Sequence, residues 1–357
     1  MARLNSPSPL RVGLCGAGMM GATHAAAYAG IPGAKLAAVW DTDLKRAEAL
    51  AARFGGTVYA HRDDLIQAVD IVDICLPTPC HLEQIQAAAA KGKAVFCEKP
   101  LGRTLEECDA AIGACKRAKV PLLVGHVVRF FPEYRTLRNT ILNGDLGDVG
   151  VLRMKRVVCS PGPAGSWYWD FEASGGCVLD TAIHDLDWLN WTLGRPASVY
   201  GVGFRDAPSL KDLAYLTLQW SSGAIAHLES SWSHDTFATS FEAAGRDGIA
   251  EFDLRDCAAL QVAYTQAASD GGGNVVPESP LAKSPYQAEL EHFVAVVRGA
   301  AKPLIKPEEA REAVELALAC LDALRSRQPV RLPSRRGGPS ARTAKPRARA
   351  LPAAHPE

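Results

Sequence analysis

Between residues 10 and 127 short apolar runs alternate with alanine-rich stretches, and this alternation limits the possible folds more than any other property of the chain. The strand candidates are 10–15, 35–40, 71–76, 94–97 and 122–127. Helices are expected between them at 20–29, 44–54, 81–91 and 105–118. Short, continuously apolar strands must be buried on both faces, which a parallel sheet sandwiched by helices achieves. The expectation is an α/β unit over 10–128, a doubly wound parallel sheet of the Rossmann type.

The pattern changes after Arg129. Helices are expected over 132–143 and 178–193, with a Gly/Pro/Trp-rich loop over 160–176 between them. Strand-like runs with turn punctuation then follow at 198–204, 214–220, 224–233, 239–244 and 249–254. Strands in succession without helices between them read as a large open, mostly antiparallel sheet. Amphipathic helices at 286–298 and 308–325 complete a C-terminal α+β domain over 129–333. A chain of 357 residues is long enough to bury two such cores.

Charge narrows the function classes. The formal net charge is zero, but six of the 39 basic residues and only one of the 39 acidic ones lie beyond Ser334. The body is thus mildly acidic, which argues against a nucleic-acid partner. The basic segment 334–357, rich in Pro and Ala without an apolar period, reads as a disordered tail, and 1–9 as a flexible start. No stretch approaches the length of a membrane span, and 1–9 lacks the apolar core of a signal peptide. The ten cysteines form no C-x-x-C pair, and several sit in apolar runs, as small hydrophobes do in a reducing cytoplasm.

Gly16-Ala17-Gly18-Met19-Met20-Gly21 follows the first strand and opens the first helix. Gly16 would make the tight turn, Gly18 would admit a pyrophosphate to the backbone, and Gly21 would let helix and strand pack closely. Met19 and Met20 start the helix, whose free N–H groups would face the phosphates. Asp41 lies twenty residues beyond Gly21, at the end of the second strand. A carboxylate there accepts hydrogen bonds from the adenosine ribose and repels a 2′-phosphate, favouring NAD over NADP. Asp43 suits the cap of the next helix.

Two further stretches carry chemistry. Glu98-Lys99-Pro100 ends a strand, where active groups of open α/β sheets gather. In the second, Asp180, His184, Asp187 and Trp191 share one face of a helix, while Leu179, Ile183, Leu186, Leu189 and Leu193 share another. A carboxylate–imidazole–carboxylate row on an anchored helix suits proton transfer. No second His stands at ligand spacing, so no metal is expected. Four of the seven tryptophans fall between 167 and 191. Trp167, Trp169 and Trp191 are candidates to stack on a ligand and Trp188 to join the core. Arg129 could hold a substrate hydroxyl or carboxylate.

Together with Pro77-Thr78-Pro79-Cys80-His81, these motifs closely resemble those of the glucose–fructose oxidoreductase/inositol dehydrogenase (Gfo/Idh/MocA) family, from about residue 10 to residue 333. The resemblance implies an NAD-dependent dehydrogenase in which a secondary alcohol carbon of a sugar or cyclitol delivers hydride to the nicotinamide. It implies that Lys99, Asp180 and His184 surround that carbon, with His184, or Lys99 acting with it, removing the hydroxyl proton. Lys99 would also hold the oxygen, and Asp180 would position substrate or base. Pro77, Thr78, His81 and Glu98 would lie near the cofactor; Glu98 could instead fix the Lys99 loop, and His81 a helix start. The resemblance also implies a homo-oligomer, dimer or tetramer, formed through the open sheet. Where the family often shows Gly-Phe/Tyr-x-x-Arg, this chain has Gly125-His126-Val127-Val128-Arg129, a departure at His126. Two other readings fit the same motifs: a glycosidase-like enzyme using transient oxidation, and a catalytically silent NAD(H)-binding regulator.

Overall fold

A computed structural model describes residues 8–256 and 283–333; the expected basic tail and all but the last two residues of the flexible start lie outside these. The first half contains β1 (Leu10–Cys15), α1 (Met19–Ala29), β2 (Ala34–Trp40), α2 (Leu44–Phe54), β3 (Thr57–Val58) and α3 (Arg62–Ala68). It continues through β4 (Ile71–Ile74), α4 (His81–Ala90), β5 (Ala94–Cys97), α5 (Leu105–Ala118) and β6 (Leu122–Val124). All six strands are parallel, in the order β3-β2-β1-β4-β5-β6. The order reverses on either side of β1, so the crevice between the β1 and β4 ends is where a nucleotide belongs. β3 and α3 escape a reading by apolar runs because two residues and seven residues are too short for a period to show.

The second half begins with α6 (Pro132–Asn143), then β7 (Val149–Val157), the short α7 (Phe171–Ser174) and α8 (Ile183–Leu193). β8 (Ser198–Asp206), β9 (Lys211–Gln219), β10 (Ile225–Ser231), β11 (Ala238–Gly245) and β12 (Ile249–Asp253) follow. α9 (Pro285–Val297), α10 (Pro307–Ser326) and β13 (Val330–Arg331) end the described chain. The seven strands run β12-β11-β7-β10-β9-β8-β13; only β7 and β10 are parallel neighbours. The expected mostly antiparallel sheet is present, with one addition at its centre. β7 was absent from the expected strands because Arg153, Lys155 and Arg156 interrupt its apolar residues. In the sheet Arg153 pairs across the strand with Glu242, and Lys155 lies 3.7 Å from Glu229. Cross-strand pairs of this kind let a charged strand occupy an interior position.

One face of this sheet is covered by α8 and α10. The buried residues of α10, Ala310, Ala313, Val314 and Ala317, recur at helical spacing, and their small side chains allow close approach to β8 and α8. α9 crosses to the other half: Leu290, Phe293 and Val294 pack with Val12, Ile71, Phe96 and Leu123 of the parallel sheet. Arg311 of α10 donates to Asp109 of α5 at 2.6 and 3.0 Å, so a second helix also ties the halves.

Candidate active site

At the nucleotide end, the glycines are held by sterics. Gly16 has φ +103°, and a Cβ on it would meet the Cys75 carbonyl oxygen at 2.4 Å. A Cβ on Gly21 would meet the Gly16 carbonyl oxygen at 2.0 Å, whereas beside Gly18 nothing lies within 4 Å. The open space thus borders the start of α1. No side chain caps that helix and no acid stands in its first turn, which leaves its N–H groups and positive end to an anion. These residues fit a dinucleotide. Asp41 is buried; its Oδ2 accepts from Ala17 N at 2.7 Å, and its Oδ1 from Asp43 N at 2.7 Å and Arg46 at 3.1 Å. It therefore braces the glycine turn against the start of α2. Asp43 caps α2, accepting from Lys45 N at 3.0 Å. Met19 is exposed at the helix start and Met20 half-buried beside it; Pro77 begins the turn after β4, with Thr78 buried within it.

At the chemical end, Lys99 reaches across the sequence to α8. Its Nζ donates to Asp180 Oδ1 at 2.9 Å and to the Asp180 carbonyl at 2.8 Å. Asp180 lies in a π-helical turn, Val178–Ala182, immediately before α8. Such turns are rare, frequent at functional sites and outside any α-helical period count. His184 is half-buried, and its Nδ1 has no hydrogen-bond partner among the described residues, which leaves Nε2 on the open side. Burial, then the charges of Lys99 and Arg156 and nearby His126, push its pKa well below the usual imidazole value. It is neutral near pH 7 and able to accept a proton.

The row expected on this helix is divided. Asp180 serves Lys99, while Asp187 accepts two hydrogen bonds from Arg129, at 2.8 and 2.7 Å. Arg129 is 1% exposed and also donates to Glu309 at 2.6 Å and to the Leu304 carbonyl. The substrate contact expected of Arg129 is therefore corrected: every part of its guanidinium is held by protein, joining α8 to α10. Trp169 is likewise corrected. It is buried, its Nε1 donates to the Gly162 carbonyl at 3.1 Å, and it packs edge-on to Trp232. Trp191 lies under the guanidinium groups of Arg129 and Arg138. Trp188 belongs to the core as expected. Trp167 stays half-buried on its loop, against Tyr168.

Two expected cofactor contacts face inward instead. His81 is buried with its ring nitrogens 2.9 Å from the Pro100 carbonyl and 2.8 Å from the Leu76 carbonyl, bridging two strand ends. The Glu98 carboxylate accepts from Lys99 N at 3.1 Å and lies 3.1 Å from His24 Nε2. It fixes the Lys99 loop, the alternative role considered for it. Behind it is a layer that the motifs did not point to. His24 Nδ1 lies 2.9 Å from Asp73 Oδ2, with both residues fully buried. Burial opposes charge on His24, but Asp73 and Cys75 outweigh it and hold its pKa well above the ordinary value. His24, Asp73 and Cys75 bring donor atoms within 4.8 Å of one another. The available signal was Asp73, a lone charge inside the apolar run 71–76. Arg156 and Asp185 form a second buried pair, at 2.8 and 2.9 Å, that pins α8 to β7.

Residues 10–126 match the model described as "Oxidoreductase family, NAD-binding Rossmann fold", and residues 134–251 match that of the "GFO/IDH/MocA C-terminal domain". A scyllo-inositol 2-dehydrogenase (NAD(+)) of Bacillus subtilis is 30% identical over 92% of this chain and 97% of its own length. The chain belongs to the Gfo/Idh/MocA oxidoreductase family. An inositol 2-dehydrogenase of Rhizobium meliloti is 37% identical over a shorter stretch, 53% of this chain and 57% of that one. Among solved structures, a putative myo-inositol dehydrogenase from Sinorhizobium meliloti superposes with a TM-score of 0.76 at 29% identity, covering 90% of this chain and 99% of that one. This Gfo/Idh/MocA protein is thus an NAD-binding oxidoreductase. No helix among its described residues is long and apolar enough to cross a membrane.

Proposed function

We propose that this protein oxidises a secondary alcohol of a cyclitol or related polyol with NAD, His184 taking the hydroxyl proton and Lys99 holding the oxygen. The observation that carries this reading is the juxtaposition of the Lys99 ammonium, fixed by Asp180 at 2.9 Å, with the neutral imidazole of His184. Bound NAD supplies the hydride acceptor. His184 Nε2, on the open side of the ring, accepts the proton as the oxygen gains negative charge. Lys99 places a positive charge against that oxygen, stabilising the developing alkoxide. Asp180, with a carboxylate and a carbonyl on one ammonium, restricts where Lys99 can point. Trp167 on its loop offers an aromatic surface to the apolar face of a ring substrate.

The relatives' names support the substrate class, since they include both myo- and scyllo-inositol dehydrogenases. In this reading, residues 10–128 hold the dinucleotide and 129–333 supply the substrate wall and the subunit contact. The open sheet face exposes Tyr200, Val202, Phe204 and Tyr215, an apolar patch suited to a second copy of the chain. The described cysteines are free thiols, four of them on the parallel-sheet half (Cys15, Cys97, Cys108 and Cys115) fully or nearly fully buried, which accords with a reducing cytoplasm. The test is a screen of inositols, aldoses and glycosides for NADH absorbance. Net NADH accumulation from a free polyol is expected. Glycoside cleavage without accumulation would replace the dehydrogenase by the glycosidase-like reading, and silence on all substrates with intact NAD binding by the regulator.

A further inference from the structure

We propose that His126 is a second imidazole in the proton path, receiving inward the proton that His184 takes from the substrate hydroxyl. The proposal rests on the polyol dehydrogenase reading and adds a residue with no place in the Lys99–Asp180–His184 group.

Three buried imidazole nitrogens are without a hydrogen-bond partner among the described residues: Nδ1 of His184, and both Nδ1 and Nε2 of His126. Buried polar atoms are almost always paired, and an unpaired one calls for an explanation in strain, chemistry or a bridging water. His126 is 1% exposed, in the turn that follows β6. Its Nδ1 stands 3.8 Å from Asp187 Oδ2, longer than a hydrogen bond but within direct reach of the carboxylate's charge. Asp187 does not move to meet it, because Arg129 holds both its oxygens. His184 stands three residues before Asp187 on α8, so its imidazole and the carboxylate beside His126 share one face of that helix. The charged and titratable groups around it are Glu98 and Lys99 at the end of β5, Arg129 in its own turn, and Asp187 and His184 on α8. Burial lowers the His126 pKa, Asp187 raises it and Arg129 lowers it, with a net fall. The ring is therefore neutral at rest, with one nitrogen free to accept.

The proton count closes. In the tautomers that the relay requires, each imidazole carries one proton at rest, on Nδ1. The substrate O–H bond breaks and an N–H bond forms at His184 Nε2. His184 gives its Nδ1 proton to one intervening water, and that water gives a proton to His126 Nε2. His126 becomes the imidazolium beside Asp187, and His184 keeps a single proton, now on Nε2. The positive charge has moved from beside the Lys99 ammonium to beside a buried carboxylate. After product leaves, the proton returns by the same route to water.

His126→Phe keeps a ring of similar size and removes both nitrogens. For NAD-dependent oxidation of myo-inositol, kcat is expected to fall roughly ten- to a hundredfold with a shifted pH profile and unchanged NAD affinity. A second measurement needs no turnover: in 15N-histidine NMR of the cofactor-free protein, the titration of His184 should move in the variant. Movement of either the pH profile or the His184 titration sustains the relay. If both stay as in the wild type, the relay is overturned even where kcat falls, since the ring then serves only packing. Should the wild type oxidise no inositol, the substrate reading fails and the NMR titration alone decides the relay. If His126→Phe does not fold, His126→Gln is judged by the same two readouts.

Discussion

Lys99 donates two hydrogen bonds to one residue, Asp180, using its carboxylate at 2.9 Å and its own main-chain carbonyl at 2.8 Å. Asp180 itself lies in a π-helical turn, where the carbonyl ladder is out of step with an α-helix. A side chain eighty-one residues earlier thus reads the backbone irregularity directly.

Replacing Lys99 by Met or His184 by Asn is expected to lower kcat by about 10²–10⁴-fold, the range for losing a positioned acid–base group. NAD binding, measured by calorimetry, should be retained in both. Near-normal turnover in either variant would remove that residue from the proton path.

His184 also predicts a pH dependence of stability. Its folded pKa lies below the unfolded value of 6.5, so the unfolded chain takes up the proton first as pH falls. The stability that neutral His184 brings is present above about pH 6.5 and is lost as the pH falls toward the depressed folded value. Denaturant midpoints between pH 8 and pH 5 should fall in the wild type, and the slope should flatten in His184→Asn.

Glu289 has the opposite sign. It is fully buried on α9, neither carboxyl oxygen has a hydrogen-bond partner among the described residues, and burial pushes its pKa well above the usual carboxyl value. A raised folded pKa means its contribution is fully present below the unfolded pKa and lost as pH rises through the folded value. Glu289→Met should therefore raise stability at pH 8, by about 1–3 kcal/mol, and leave less gain at pH 5. Equal gains at the two pH values would contradict a protonated carboxyl.

Arg129 distinguishes a structural cation from a substrate contact. Arg129→Met leaves Asp187 buried without its partner and should cost about 3–5 kcal/mol in chemical denaturation. A rise in KM with unchanged stability would restore the ligand-binding role first expected of it.

Asp41 keeps Arg46 occupied at 3.1 Å while Arg46 is itself 55% exposed. Asp41→Ser removes the negative charge and frees a guanidinium that can meet a 2′-phosphate. The preference for NAD over NADP, as a ratio of kcat/KM, should shrink roughly tenfold or more. An unchanged ratio would separate Asp41 from cofactor choice.

The parallel sheet was legible because its strands are buried on both faces and so are written in unbroken apolar runs. The same logic failed at β7, whose interior position depends on partners at Glu229 and Glu242 that are distant in sequence. Lys99, Asp180 and His184 could be found from motif spacing, but the division of labour between Asp180 and Asp187 could not. It depends on the π-turn and on which cation each carboxylate meets. Arg129 and Trp169 show the limit from the other side. Arginine and tryptophan are the residues best suited both to grip a ligand and to satisfy a buried partner. Only the surroundings, Glu309 and Asp187 for one and Gly162 and Trp232 for the other, decide between those uses.

α9 lies nearly three hundred residues from the start of the chain, yet its Leu290 and Phe293 cover Phe96 and Leu123 on the first sheet. During synthesis that sheet would wait, with an apolar face uncovered, until the last quarter of the chain had emerged. The nucleotide-binding half is accordingly no detachable module. A fragment ending near residue 128 should bind hydrophobic dye and aggregate, and a separately supplied C-terminal piece should rescue it.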